Sequence, residues 1–476
     1  MGCALLGGCA FGPNHYLKLD QQLLAGNYQA ADALVADAED DYGGKNRVLY
    51  GMDRGVTLQL LGQYEASNHA LSEAEDEVER LFTRKIRNEA LSFLLNDNEL
   101  PFEGDPFEQV MINVEKAMNY ALLGQWQEAL VEARRIDHRL NVIADRSTDK
   151  GTYRDDGFAR YFTGMLYEAG GDANNAMVAY RRAYEAYGAN RAWTGLGAPL
   201  GLRSDLLRLA EGLGLTAEFQ DYRRAFPEVT WQSLRAQSHL AQVVVISYNG
   251  RAPVRVDQFL DVPLGLDAAR LVLLSRGYGG GQGHTRAGDS LLYGLNGRIV
   301  RIALPRLIPQ RSTVAYSRVA LSGAAGSFEG RTEPSHTITA MAEKALSERM
   351  TAITIRASAR SAVKFGVAEA VEQGLRGNAR RQDRYRDRNQ DDMEWVAFVA
   401  GALLKTAAAA TEEADKRSWR TLPDTIQVAR LWVPPGEYEV QVQPVGALTG
   451  GRRPDSVRRI TVREGETRFL VERLLQ

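Results

Sequence analysis

Cysteine is nearly absent from this 476-residue chain, and its two copies, Cys3 and Cys9, both fall within the first ten residues. Everything after them is thiol-free, which excludes disulfide staples, cysteine-based zinc sites and cysteine nucleophiles from the body. Histidine is scarce too. The six stand at 15, 69, 138, 239, 284 and 336, with no i, i+4 pair and no HExxH pattern, so a zinc protease has no support. A surplus of one charge is missing as well: the formal net charge of −2 argues against a dedicated nucleic-acid surface. Long apolar runs are also lacking. The most apolar stretch, Trp395 to Ala410, is bracketed by Glu394 and interrupted by Lys405, leaving about ten apolar residues where ~20 are needed to span a bilayer. It reads as a buried helix. No Gly-x-Ser-x-Gly elbow occurs, and the glycine-rich run Arg276 to His284 lacks the Lys-Ser/Thr of a phosphate loop and carries Gln282 where G-x-G-x-x-G needs glycine, so it reads as a mobile loop. From Asn378 to Asp392 five arginines interleave with four aspartates, the pattern of a solvated connector.

What the N-terminus does contain is Leu5-Leu6-Gly7-Gly8-Cys9, which resembles a bacterial lipobox. In that pattern the cysteine becomes diacylated and then N-terminal, so residues 1–13 are expected to be a signal remnant and anchor, with Cys9 as the lipid-bearing residue. No aspartate follows Cys9 to signal inner-membrane retention, so the expected location is the periplasmic face of the outer membrane. Only eight residues precede Cys9 and none is Lys or Arg, which places the expected translation start upstream of Met1.

Over residues 14–228 a phase recurs four times: Gly26-Tyr28-Ala31, Gly62-Tyr64-Ser67, Gly124-Trp126-Ala129 and Gly171-Ala173-Ala176. The three later copies also carry a small residue seven positions before the glycine, at Gly55, Ala117 and Gly164. Two antiparallel helices approach closely only where one offers a gap and the other a ring to fill it, and glycine ends the first helix at the turn. The pattern resembles the tetratricopeptide repeat. Successive turns are 36, 62 and 47 residues apart where a regular array steps by about 34, so the array is interrupted, chiefly between Thr83 and Val110. The two phenylalanines and two prolines of Pro101 to Phe107 predict a loop that packs back on the helices. On the last hairpin the phase places Glu168 outward.

Pro227 ends the helical part. Residues 229–476 then change period, which predicts a mixed α/β domain with a β-rich core and helical insertions. Ala241 to Tyr248 is a β-branched run, and Asn249-Gly250 after it signals a hairpin. Further strands are predicted at Ala269–Leu274, Arg298–Ile302, Val314–Leu321, Ile426–Val433, Tyr438–Val442 and Arg458–Val462, with helices over Thr337–Gly374 and Asp392–Lys416. Pro434-Pro435-Gly436 reads as the turn of an edge hairpin in a small sandwich.

Four stretches go beyond a generic repeat: Pro101 to Glu108, Ala129 to His138, Phe158 to Tyr161, and Ala414 to Pro423 with the later Pro-Pro-Gly-x-Tyr. Together they resemble a family of uncharacterised bacterial tetratricopeptide-repeat lipoproteins found beside homologues of the outer-membrane activator of penicillin-binding proteins. The resemblance implies a cell-envelope role and envelope proteins, other lipoproteins among them, as partners. It supplies no catalytic residue.

In such a repeat the first helix of each hairpin lines a concave groove. The phase assigns to that lining Leu49, Met52 and Val56, then Met111, Val114 and Met118, then Phe158, Tyr161 and Met165. Either the chain fills this methionine-rich face itself, the outcome we expect, or a partner segment or acyl chain does. Glu132, Arg134, Arg135, Asp137 and His138 have the spacing of a salt-bridged helix surface. The expectation is therefore a non-catalytic, lipid-anchored envelope scaffold without cofactor, metal or nucleic acid. An envelope enzyme acting on glycan or peptidoglycan would instead show a carboxylate pair across a cleft of about 5–10 Å with one pKa raised. A lipid or ligand carrier would show an open apolar cavity.

Overall fold

The structure, a computed structural model, describes residues 13–85, 97–146, 153–263, 299–378, 413–446 and 456–475. Five helical hairpins follow one another. They are α1 (Pro13–Leu24) with α2 (Tyr28–Asp37); after the single turn α3 (Glu39–Tyr42), α4 (Arg47–Leu60) with α5 (Tyr64–Lys85); α6 (Pro106–Leu123) with α7 (Trp126–Arg146); α8 (Gly157–Ala169) with α9 (Ala173–Thr194); and α10 (Leu200–Gly212) with α11 (Thr216–Ala225).

The first four turns sit on Gly26, Gly62, Gly124 and Gly171, with φ of 72°, 74°, 71° and 81°. At each, the glycine N–H returns to the carbonyl three residues back and the next N–H to the one five before it, the left-handed ending that a Cβ disfavours. The small positions Ala31, Ser67, Ala129 and Ala176 are fully buried where the helices cross. Gly164 shows the gap-and-ring logic directly, since a Cβ there would lie 2.3 Å from the Tyr180 ring. A fifth hairpin turns on Gly214, φ 69°, with the same two bonds. The repeat phase misses it because Thr216 and Phe219 occupy the aromatic and small positions.

After the one-turn helix α12 (Leu234–Gln237) the chain becomes β-rich. Strands β1 (Ala241–Asn249), β6 (Glu333–Thr337), β7 (Thr425–Val433) and β10 (Thr467–Leu474) form one sheet in the order β10-β1-β7-β6. In it β1 runs parallel to β10 and antiparallel to β7. Strands β4 (Val314–Gly323), β5 (Gly326–Arg331), β8 (Gly436–Gly446) and β9 (Ser456–Val462) form a second, antiparallel sheet in the order β5-β4-β8-β9. A separate ribbon pairs β2 (Val254–Pro263) with β3 (Ile299–Ile308), and helix α13 spans Ile338–Asn378.

Alternation along β1 decides the architecture. Ala241, Val243 and Val245 point into the space between the sheets with Val319, Leu321, Val440 and Val442, which makes a sandwich. Val244, Ile246 and Tyr248 point the other way, into one core with the helices. Every residue of β1 is buried, as a strand covered on both faces must be. The helical and α/β halves therefore share a single apolar core across the boundary near residue 229, with Phe226 and Val229 on its helical side.

Two turn assignments change. Asn249-Gly250 does not make a hairpin, because both edges of β1 are already taken by β7 and β10: Asp424 N–H donates to Asn249 O and Gly250 N–H to Leu474 O. Pro434-Pro435-Gly436 is a corner rather than a hairpin, carrying the chain from β7 in one sheet to β8 in the other, and Tyr438 OH braces it by donating to Pro434 O at 2.8 Å. The expected strand Ala269–Leu274, the Arg276–His284 loop and nearly all of the expected Asp392–Lys416 helix lie outside the described residues. The last four residues of that helix, 413–416, are irregular rather than helical. No helix among the described residues is long and apolar enough to cross a membrane.

Candidate functional site

The seam between the helical array and the first sheet brings the predicted groove residues together. Met52, Met111, Met118, Phe158, Tyr161 and Met165 are at most 1% exposed, so they line no open groove. They lie in one cluster with Phe102 from the loop before α6 and Phe107 from the first turn of α6, where the expected 101–107 loop is already helical, with Ile246, Tyr248 and Phe469 from the sheet, and with Trp419 and Leu422. The physical reason is continuity: an apolar concave face of this extent is covered by the nearest apolar face on the same chain. Phe158 stacks on His336 of β6 with centroids 5.3 Å apart, and Phe162 meets Phe469 of β10 edge-on at 6.0 Å.

At the α1–α6 end the cover is the segment 413–424, which contains the Ala414 to Pro423 motif. Arg417 donates to Asn46 Oδ1 and to Leu100 O, both at 2.9 Å, and lies over the Phe102 ring. Trp419 N–H donates to Glu108 Oε1 at 2.7 Å, and Arg420 pairs with Asp20 at 2.6 Å above the Tyr16 ring. Asp53, fully buried, accepts hydrogen bonds from Tyr16 OH (2.8 Å), Tyr42 OH (2.9 Å) and Thr421 Oγ1 (2.9 Å). Burial raises its pKa to about 6, because those donors are neutral and only partly offset desolvation. Glu108 is pushed up to about 7 by burial and by neighbouring Asp105, against the pull of Arg255.

The α8–α10 end is closed by guanidinium groups. Arg430 of β7 reaches down to Asp205 and donates to Glu168 Oε2 at 3.0 Å, while Arg208 donates to Glu168 Oε2 at 2.9 Å and to Asp205 Oδ1 at 2.8 Å. Burial would raise the Glu168 carboxyl, but Arg208 and Arg430 overcome it and hold the pKa at about 2. Glu168 is thus not the outward residue the repeat phase suggested; it is a hub between two helices and the sheet. Between the two ends Glu115 accepts from Gln59 at 2.9 Å and from Tyr248 OH at 3.2 Å.

The Glu132 to His138 cluster divides. Arg134 and His138 are exposed, as a salt-bridged surface requires. Glu132 is buried, where it accepts from Asn113 at 2.9 Å and pairs with buried Lys116 at 3.0 Å, and Asp137 pairs with the buried Arg160. Sequence reading missed these charges because it followed the apolar stripe. The signal was the run of polar residues Glu108, Asn113, Glu115, Lys116 and Asn119 set among the apolar residues of α6. Cys9 lies outside the described residues.

The Asp105–Glu108 pair meets half of the description of a hydrolytic site, since one carboxyl is raised. It meets no cleft: both residues are 2% exposed. Glu108 accepts the N–H groups of Asp105 and Trp419 at the start of α6, and Asp105 is held by Arg255 and Arg349. The arrangement joins the halves of the molecule.

No family model matches the chain, and no curated protein matches it. Among solved structures a crystal structure of MamA is similar at a TM-score of 0.28 and 15% identity, over 44% of this chain and 92% of that one. A second, MamA AMB-1, gives 0.28 and 12% over 45% and 90%. Similarity this low carries no argument, so the functional reading rests on the residues themselves.

Proposed function

We propose that this protein is a non-catalytic scaffold of the bacterial cell envelope, anchored through Cys9 to the periplasmic face of the outer membrane, which binds protein partners with its outer surfaces. One observation carries this reading: the concave face of the helical array, where such repeats take a ligand, is occupied by the chain's own sheet and by segment 413–424. A helical array locked onto a sandwich makes a rigid body whose exterior is left for recognition. The lipobox resemblance at Leu6-Gly7-Gly8-Cys9 supports the anchor, and the resemblance to repeat-bearing envelope lipoproteins supports the setting. Expressed behind a lipoprotein signal that presents Cys9 to the acylating enzymes, the protein is expected in the membrane fraction and Cys9→Ser in the soluble one, because acyl chains hold by ~0.8 kcal/mol per buried CH₂. An unchanged distribution, or a mature protein without lipid by mass spectrometry, overturns the anchor. Affinity isolation of the lipidated protein is expected to bring envelope proteins with it, and isolation of the protein alone overturns the scaffold.

A further inference from the structure

Where the two halves meet on the surface, the start of α10 faces strands β4 and β6 across an open cleft of about 340 Å³, the lower end of the range for ligand sites. Pro199, Leu200 and Pro334 form its apolar wall, and Arg203, Tyr316 and Arg331 stand among its polar lining. Leu200 is 39% exposed, unusual for a leucine beside a closed core. Glu333 also lines the cleft, but its carboxylate accepts the backbone N–H groups of Leu200 and Gly201 at the first turn of α10. There it serves as a cap on the positive end of the helix.

The cations are less well satisfied. Arg203 pairs with the exposed Glu228 at 2.7 Å, yet its Nε is buried without a hydrogen-bond partner. The Arg331 side chain has no ion pair or hydrogen bond among the described residues; its charge acts on Glu333 only from a distance. In the β4–β5 register Arg318 stands directly opposite Arg331, and its guanidinium too has neither among the described residues. Like charges directly opposite on one face of an antiparallel pair destabilise it. Tyr316 precedes Arg318 by two residues and so shares its face, with no hydrogen bond to its hydroxyl among the described residues. A carboxylate placed between the two guanidiniums would relieve the repulsion and gain charge-assisted hydrogen bonds.

We propose that this cleft docks a short acidic peptide segment of a partner protein, with an apolar side chain against Pro199, Leu200 and Pro334 and flanking carboxylates on Arg331 and Arg318. The proposal rests on the protein-binding reading above and names the surface that would serve it. The wall selects a side chain, the arginines select its acidic neighbours, and the open mouth admits a chain that continues on both sides.

The test uses the full protein and a fluorescein-labelled, C-terminally amidated peptide, Glu-Glu-Leu-Ala-Glu-Glu, read by fluorescence anisotropy at low salt. Saturable binding is expected, weakened at least about tenfold by Arg331→Glu and by Arg318→Glu. Both side chains are solvent-exposed, so unchanged melting temperatures are expected and certify the fold; Arg318→Ser serves as a second variant should either charge reversal lower them. A peptide with lysine in place of each glutamate is expected not to bind. Absence of binding to the unsubstituted protein, equal binding to the variants, or equal binding of the lysine peptide overturns the site. Affinity isolation separates this from the scaffold reading. Envelope partners retained by Arg331→Glu leave the scaffold standing and remove the site. Arginine-dependent peptide binding with no co-isolated protein does the reverse.

Discussion

At the α1–α6 end of the seam, Asp53 takes its hydrogen bonds from two tyrosines and a threonine. At the α8–α10 end, Glu168 and Asp205 share Arg208 and Arg430. At both ends the array is closed by a later part of the chain, segment 413–424 in one case and β7 in the other, and both bury their carboxyls. Their proton affinities nonetheless diverge, with Asp53 raised to about 6 and Glu168 held at about 2. Burial pushes each of these carboxyls upward; the neutral donors around Asp53 return part of that free energy and the two guanidiniums on Glu168 return more than all of it, while Asp205, which shares them, stays raised because burial and the neighbouring Glu168 outweigh them. Asp53 at one end is thus held by hydroxyl groups, although ion pairs such as Arg420–Asp20 surround it, and Glu168 at the other is held by ions.

The largest effect is expected from breaking the ionic end. Arg430→Ala leaves two buried carboxylates sharing Arg208, and the cost of an uncompensated buried charge is about 3–5 kcal/mol. Urea denaturation reads it, and a loss below about 1 kcal/mol would show that the two ends do not differ in kind. Next comes the apolar stretch between them. Met118→Ala removes a fully buried side chain and is expected to cost about 2–5 kcal/mol through lost transfer and the cavity left behind. A protein as stable as the parent would mean that this face is not closed in solution.

The smallest effect is a slope. Folded Asp53 keeps its proton to about pH 6 while the unfolded chain loses it near ~3.9. Its contribution to stability is therefore complete below that lower value and is lost as pH rises through about 6. Glu168 has the opposite sign: its contribution is present above the unfolded value of ~4.3 and is lost as pH falls toward about 2. In Asp53→Asn the decline between about pH 4 and 6 is expected to be shallower by up to about 1.4 kcal/mol per pH unit, read from denaturation midpoints across that range. An unaltered slope would place the titration on some other group.

Much of this organisation was legible in the chain. The four turn glycines could be found because a left-handed helix ending leaves a one-residue mark, and the gap at Gly164 could be found because a small residue recurs seven positions before the turn glycine, at Gly55, Ala117 and Gly164; its ring partner Tyr180 was not legible, since Leu71 and Ala133 stand at the equivalent positions. The burial of Phe102 and Phe107 followed from the apolar composition of the Pro101 to Phe107 stretch, although its last two residues begin α6. The fifth hairpin was not legible, since Thr216 and Phe219 replace the residues that mark the others. Nor were the seam charges, because Glu168 and Arg430 are 262 residues apart and neither is unusual in its own helix or strand.

The sequence by itself determined much of the local geometry: where four hairpins turn, which helical faces are apolar, and the runs that became β1, β3, β4, β7, β8 and β9, though not β2, β5, β6 or β10. Each of those depends on φ preferences and on side-chain period, which act over a few residues. Only the tertiary structure decided that Asn249-Gly250 joins a central strand to a separate ribbon, that Pro434 turns a corner between sheets, and that the methionine-lined face is filled by β1, β10 and segment 413–424. Those outcomes depend on which of several apolar faces and strand edges meet first and bury most. That choice belongs to the whole chain, because the free energy of burial has no direction along the sequence.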